Sequence, residues 1–328
     1  MTRGKPRIAL LDDYQGIAMT MADWEPARAR CDLVVFNRHL EEEEAVAALA
    51  DFDGVCLLRE RMAFPATLIA RLPKLKFIGI TGVQNRTLGL QAALDRGIVV
   101  SHTLRRGDGL GATAELSWGL ILALARNLPR EFDNMRSGRW QTSYGISLGG
   151  RTLGLLGLGR LGRLMVPVGK AFGMRVIAWS QNLTEEAARE AGCERVDKHT
   201  LFAQSDFVSL HQVLSERSLH IVGEAEIAAM KPSAYIINTS RGPLIDRAAL
   251  VRALRERRIA GAGLDTYDVE PLPADDALRS LDNVALTPHL GYTVGELLRP
   301  FYEDTAENLV AYLDGAPIRL LTPNAKPH

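Results

Sequence analysis

Residues 152–162 read TLGLLGLGRLG, a short apolar run leading straight into Gly157, Gly159 and Gly162 at GxGxxG spacing. That spacing has a physical logic. The first glycine makes a tight strand-to-helix turn, and the second leaves bare backbone for a pyrophosphate to approach. The third lets the helix pack closely on the strand, while the helix N-terminus offers N–H donors and partial positive charge. Glycine-rich turns also arise for structural reasons alone, so context decides. Here a strand pattern precedes the turn, a helical pattern follows it, and a second strand, 174–180 (MRVIAWS), ends about 20 residues on. The stretch predicts a dinucleotide site.

The rest of the chain is organised to suit. At 328 residues it is long enough for two domains with separate cores. With 39 basic and 39 acidic residues it carries no formal charge, which argues against nucleic acid or an anionic membrane as the main partner. Local charge for a small anionic substrate is still available. Cys31, Cys56 and Cys193 are scattered without a C-x-x-C or a metal-ligand pairing, so a reduced, cytoplasmic protein without a metal site is expected. The chain enters a strand pattern within its first residues, leaving no room for a signal peptide ahead of it. The longest apolar run, 116–125, contains Ser117 and is too short to span a bilayer.

Strand-like runs at 7–11, 33–36, 54–58, 77–80 and 98–100 alternate with helical stretches, including 41–50 and 88–96. That alternation predicts a parallel sheet with helices on its faces, whose ligands sit beyond the carboxyl ends of the strands. Asp12-Asp13, Arg59-Glu60-Arg61 and Gly82-Val83-Gln84-Asn85 fall at such ends. Residues 111–126 form a helix that is apolar around most of its circumference, and such a helix must be buried between domains or against a partner subunit. Strands at 207–210, 235–238, 261–264 and 284–286 then extend a second doubly wound unit from the glycine turn to about Pro288. Residues 295–314 read as one more amphipathic helix and 315–328 as a proline-containing tail. Pro167 falls inside the helix after the glycine turn and predicts a kink there.

Past residue 200 the chain resembles the D-isomer-specific 2-hydroxyacid dehydrogenases, the group that contains phosphoglycerate dehydrogenase and glyoxylate/hydroxypyruvate reductases. The residues that carry the likeness are Ile237-Asn238-Thr239-Ser240-Arg241-Gly242, Asp246, Leu264-Asp265, Val269-Glu270-Pro271-Leu272-Pro273 and Leu286-Thr287-Pro288-His289. Upstream, Leu72-Pro73-Lys74-Leu75-Lys76, Arg96-Gly97-Ile98, Ala114-Glu115 and the glycine turn match in order and spacing. The resemblance implies an α/β protein of two doubly wound Rossmann-like domains. An NAD(P)-binding domain, 105–292, is inserted into a discontinuous, flavodoxin-like substrate domain made of 1–104 and 293–328. It also implies a homodimer formed through the cofactor domain, which would bury the apolar helix at 111–126.

The same resemblance implies the chemistry: hydride transfer between NAD or NADP and C2 of a small 2-keto or D-2-hydroxy acid. His289 is the proton shuttle, suited to it because imidazole titrates nearest neutral pH. Glu270 is its partner, favouring the imidazolium and fixing the tautomer. Arg241 forks onto the substrate carboxylate. Asp265 is expected to accept from the nicotinamide carboxamide, with Thr113, Thr239, Ser240, Arg241, His289 and Gly291 around that ring. Arg160 and Leu161 join the three glycines at the pyrophosphate. His211 and Val213 stand beside the adenosine, where valine replaces the family's usual proline. Val83 and Gln84 lie in the loop whose backbone N–H groups hold the substrate carboxylate, and Arg59 is a candidate for a second anionic group. The segment Arg86-Thr87-Leu88-Gly89 departs from the family's Asp-containing pattern, so the substrate itself is not given by the likeness.

Cofactor choice is read from the residues. The strand ends in Ser180-Gln181-Asn182, with no carboxylate to repel a 2′-phosphate and no arginine directly after it to clamp one. NADP is therefore expected to be accepted. Two rivals share the scaffold: a phosphite- or formate-type dehydrogenase, and a dinucleotide-sensing corepressor or scaffold. Glu270 with His289 disfavours the formate version, and the chain lacks the basic patches expected of a scaffold.

Overall fold

A computed structural model describes residues 4–104 and 106–322. The first three residues and the tail beyond Thr322, including His328, lie outside them. The chain divides into two compact units, one of Met1–Gly109 with Gly295–His328 and one of Leu110–Val294. The chain crosses between them a few residues beyond the expected 104 and 292.

The first unit holds five parallel strands: β1 (Arg7–Leu10), β2 (Asp32–Val35), β3 (Gly54–Leu57), β4 (Phe77–Ile80) and β5 (Val99–His102). Their order is β2-β1-β3-β4-β5. The two central strands on one side, β3 (GVCL) and β4 (FIGI), are buried at every residue. Strands covered on both faces read as continuous apolar runs rather than alternating ones. Val55, Leu57, Ile78, Phe64 and Leu68 belong to one core cluster. The helix Gly295–Leu313 packs against β4 and β5 and against the short helices Ala18–Met21 and Glu25–Arg28. Its Tyr312 stacks on Phe77 with ring centroids 4.6 Å apart. After it the chain returns along β5, where Leu321 N–H donates to Val100 O at 2.8 Å.

The second unit holds seven parallel strands: β6 (Thr152–Leu156), β7 (Arg175–Trp179), β8 (Glu194–Arg195), β9 (Phe207–Leu210), β10 (Tyr235–Asn238), β11 (Gly261–Leu264) and β12 (Val284–Leu286). The order β12-β11-β10-β9-β6-β7-β8 places the reversal of strand order between β6 and β9. In doubly wound sheets, ligands bind at the carboxyl ends beside such a switch point.

One expectation is corrected and two elements are added here. The apolar helix, observed as Ala112–Ala125, finds its burial inside its own unit, against β10, β11, β12 and the helices Leu128–Arg136 and Arg160–Ala171. Its buried side, Ala114, Trp118, Leu120, Ile121 and Leu124, lies on the part of the sheet formed by β10, β11 and β12, while Glu115 and Gly119 stay exposed. The helix after the glycine turn runs through Pro167 to Ala171. The helix Leu128–Arg136 and the two-residue strand β8 were not foreseen, the first because it is polar, the second because it is too short to show a period.

Candidate active site

β6 ends at Leu156 and the helix Arg160–Ala171 begins after Gly159. The three glycines of the turn are there for different reasons. A Cβ on Gly157, at φ +103°, would lie 2.7 Å from His211 O, and one on Gly162 would lie 2.2 Å from Gly157 O. Neither position admits a side chain. A Cβ on Gly159 would meet nothing within 4 Å. That open space lies at the start of a twelve-residue helix with no side-chain cap, whose first N–H groups have no acceptor in their own helix. The residues fit a pyrophosphate: bare backbone, N–H donors without an acceptor in their own helix, and the positive end of a helix.

Beside the turn, across the switch point, His211 is 9 % exposed, and its Nε2 lies 2.9 Å from Ser209 Oγ. Its Nδ1 is buried without a partner, and burial pushes the imidazole down to about 4. Val213 is 63 % exposed. Ser180 is half-buried and Gln181 exposed at the end of β7. Arg160 donates from Nη1 to Leu110 O, and Leu161 leans on the apolar cluster between helix and sheet.

The acid–base residues follow three neighbouring strands. Arg241 comes just after β10, Asp265 and Glu270 after β11, and His289 after β12. His289 Nδ1 and Glu270 Oε2 are 2.6 Å apart, each side chain just over a fifth exposed. With a carboxylate as acceptor, Nδ1 carries the hydrogen and Nε2 becomes the working nitrogen. Glu270 is itself fixed, because its Oε1 accepts Tyr267 N–H at 2.8 Å. Tyr267 Oη lies 3.0 Å from Leu264 O and 2.9 Å from Thr287 O, bridging the ends of β11 and β12. Arg241 donates from Nη1 to Ser240 O at 2.7 Å, and Asn238 Nδ2 donates to Arg241 O at 2.8 Å. Ser240 Oγ donates to Leu210 O at 2.8 Å, so this side chain braces the strand end.

Asp265 is wholly buried. Its Oδ1 accepts Thr287 Oγ1 and Leu290 N–H, both at 2.7 Å, and its Oδ2 accepts Gly291 N–H at 2.9 Å. Burial raises its carboxyl above the usual range, while those three donors and the His289 imidazole pull it back. Thr113 Oγ1 donates to Gly291 O at 2.7 Å, and Thr239 Oγ1 lies 2.8 Å from Ser117 Oγ.

In the first unit, all three polar groups expected at strand ends are found there. Arg59, at φ +57°, donates from its N–H to Thr81 Oγ1 at 2.6 Å and from Nη1 to Thr81 O at 3.0 Å. Asn85 Nδ2 donates to Arg59 O at 3.0 Å, which ties the two loops together. Arg61 is held at the end of β1, donating to Asp12 O at 2.6 Å and Gln15 Oε1 at 3.0 Å. Val83 is half-buried and Gln84 exposed, and neither backbone N–H meets an acceptor among the described residues. Together with Asn85, Arg86, Leu88 and Leu321 they border a recess of about 300 Å³.

Comparison with known proteins decides the family. The description "D-isomer specific 2-hydroxyacid dehydrogenase, NAD binding domain" matches residues 118–291. A glyoxylate reductase of Thermococcus litoralis is 40 % identical over 257 residues, 76 % of this chain and 77 % of that one. A D-3-phosphoglycerate dehydrogenase of Methanocaldococcus jannaschii is 38 % identical over 279 residues, covering 84 % of this chain and 52 % of its own. A solved phosphoglycerate oxidoreductase of Vibrio cholerae superposes with a TM-score of 0.88 at 34 % identity, over 95 % of this chain and all of the other. The chain belongs to the D-isomer specific 2-hydroxyacid dehydrogenases.

As a member of that family it is an oxidoreductase with two Rossmann-like α/β domains, and its nicotinamide dinucleotide domain contains the glycine turn, Arg241, Glu270 and His289. Among the described residues no helix is long and apolar enough to cross a membrane. For a dehydrogenase of this family, two residues of the site escaped sequence analysis. Tyr267 carries no motif. Ser117 was visible as the hydroxyl in an otherwise apolar run, the one signal that it had a partner to meet.

Proposed function

We propose that this dehydrogenase reduces small 2-keto acids to D-2-hydroxy acids with NADH or NADPH, using His289 and Glu270 to deliver the proton and Arg241 to hold the carboxylate. The observation that carries the proposal is the 2.6 Å contact between His289 Nδ1 and Glu270 Oε2, with Nε2 left for the substrate. In the protonated pair, Nε2–H donates to the keto oxygen and polarises the carbonyl. Glu270 holds the imidazolium in one tautomer and orientation, so the proton passes from Nε2 as charge builds on oxygen. In the reverse direction neutral His289 takes the hydroxyl proton. Arg241 forks onto the carboxylate, and the unspent N–H groups of Val83 and Gln84 suit an anionic oxygen. Arg59 is assigned to a further anionic group on larger substrates.

The nicotinamide, when bound, supplies the hydride at C2. Gly157, Gly159 and Gly162, with Arg160 and Leu161, are assigned to its pyrophosphate. Thr113, Thr239, Asp265 and Gly291 are assigned to its carboxamide, with Arg241 and His289 beside the ring and Ser240 bracing the strand end that carries Arg241. His211 and Val213 are assigned to the adenosine side. Ser180 and Gln181 bring no charge against a 2′-phosphate, which supports use of NADPH. A cytoplasmic homodimer completes the proposal, and Cys31, Cys56 and Cys193 are free thiols, in keeping with a reducing compartment.

The test is turnover of glyoxylate, hydroxypyruvate and pyruvate with each reduced cofactor, for the wild type and His289→Gln. Wild-type reduction of at least one acid, with kcat lowered at least about 10²-fold in the variant, is expected. Oxidation of phosphite with NAD or NADP, and reduction of no keto acid, would overturn the substrate class. Cofactor binding without any turnover would favour a sensing role.

A further inference from the structure

Ser117 is fully buried in the helix Ala112–Ala125, and its Oγ donates to Thr113 O at 2.9 Å. A hydroxyl has one hydrogen, and a carbonyl can only accept. The 2.8 Å contact between Ser117 Oγ and Thr239 Oγ1 must then be filled by the hydrogen of Thr239. The same logic applies to Thr113, whose hydrogen goes to Gly291 O. Thr239 Oγ1 and Thr113 Oγ1 are thus left with lone pairs alone.

Asp265 brings the same polarity. Three of its four lone-pair positions are taken by Thr287, Leu290 and Gly291, leaving one on Oδ2. A Cβ placed on Gly291 would lie 3.2 Å from Asp265 Oδ2 and 3.2 Å from Thr113 Oγ1, so the two oxygens converge on one small space.

We propose that Ser117 is a positioning residue that fixes Thr239 as an acceptor, so that the nicotinamide pocket selects a ring substituent by its N–H donors. The proposal rests on the cofactor assignment above and deepens it. A carboxamide offers two N–H groups to Asp265 and Thr239. A ring carrying an acetyl group keeps the carbonyl but offers none.

The test is binding of NAD and of its 3-acetylpyridine analogue, measured by calorimetry on the wild type, Ser117→Ala, Thr239→Val and the double variant, with Tm recorded for each. In Ser117→Ala the Thr239 hydroxyl is free to turn its hydrogen into the pocket, where it suits a carbonyl. The preference for NAD over the analogue should fall about three- to tenfold, the scale of one hydrogen bond. Ser117→Ala should add nothing once Thr239 is Val, because the pair acts as one unit. Ser117→Thr, which restores a hydroxyl, should restore the preference. A preference unchanged in Ser117→Ala, or additive effects of the two substitutions, would overturn the proposal even with Tm lowered. Failure of the wild type to bind either dinucleotide would instead overturn the cofactor assignment.

Discussion

Asp265 and His289 are joined through the main chain: the His289 N–H donates to Asp265 O at 2.9 Å, and the Asp265 carboxylate takes the N–H groups of the next two residues. His289 sits at φ +53°, a conformation uncommon for any residue but glycine. Four hydrogen bonds converging on Asp265 hold it there. The backbone that presents the imidazole to Glu270 is therefore set by a buried acid one strand away.

The glycine turn separates a packing role from a binding role. Gly162→Ala drives a methyl to 2.2 Å from Gly157 O and should destabilise the protein by about 1–3 kcal/mol, as overpacked sites do. Gly159→Ala meets no protein atom and should leave Tm nearly unchanged while raising KM for the cofactor at least about tenfold, roughly 1.4 kcal/mol. Thermal melts beside cofactor titrations check both. Equal losses of Tm would mean that Gly159 is there for the fold.

The proposed cofactor preference is tested at the end of β7. Ser180→Asp places a carboxylate where a 2′-phosphate would lie and should shift kcat/KM toward NADH about tenfold or more, equivalent to about 1.4 kcal/mol. The wild type should use NADPH at least comparably to NADH. A wild-type preference for NADH above roughly a hundredfold, about 2.8 kcal/mol, would show that some other residue sets the choice.

His211 makes the second unit sensitive to acid. Its buried imidazole is lowered from 6.5 to about 4, so the folded state resists the proton that the unfolded chain accepts. The unfolded state then binds more protons between those values, and stability falls as pH falls. The contribution is complete above about pH 6.5 and is lost on the way down to about pH 4, amounting to roughly 3 kcal/mol. Denaturant midpoints at pH 7, 5.5 and 4.5 should drop more steeply for wild type than for His211→Asn. Parallel curves would assign the acid sensitivity to other groups.

Two arginines separate by how they are held. Arg241→Lys should lower kcat/KM at least about 10²-fold for every acid, since an ammonium cannot form the two-pronged contact. Arg59→Ala should raise KM for acids with a second anionic group more than for glyoxylate. Equal shifts for both would reduce Arg59 to its structural bonds with Thr81.

Much of the sheet was legible because buried parallel strands announce themselves as short apolar runs. FVSL, YIIN and GAGL stand in the structure where their composition put them. β5 slipped, expected at 98–100 and found at Val99–His102, because Ser101 and His102 are polar and hide the end of the apolar run, although they pair with Gly79 and Ile80 of β4 and Ser101 also bridges Leu320. The apolar helix was read correctly as buried, but the sheet of its own unit that covers much of it was not legible, since a sequence shows how apolar a helix is but not what covers it. At the site, residue types were legible and hydrogen-bond directions were not. Asp265 reads as a cofactor ligand in sequence. In the structure it is also the anchor of residues 287–291, and nothing in its neighbours' identities gives that away.

The split of the first unit around an uninterrupted second one sets the order in which the chain can fold. β1 to β5 are synthesised early, but the helix that covers β4 and β5, with the Tyr312 that stacks on Phe77, arrives only after all of Leu110–Val294. At about 5–20 residues per second, that is a delay on the order of 10–40 s. Through that interval the second unit has everything it needs to close its own core. The nascent first sheet meanwhile waits with one apolar face uncovered and β5 unpaired along its outer edge, so a unit begun by β1 is completed only when residues 295–321 have been made.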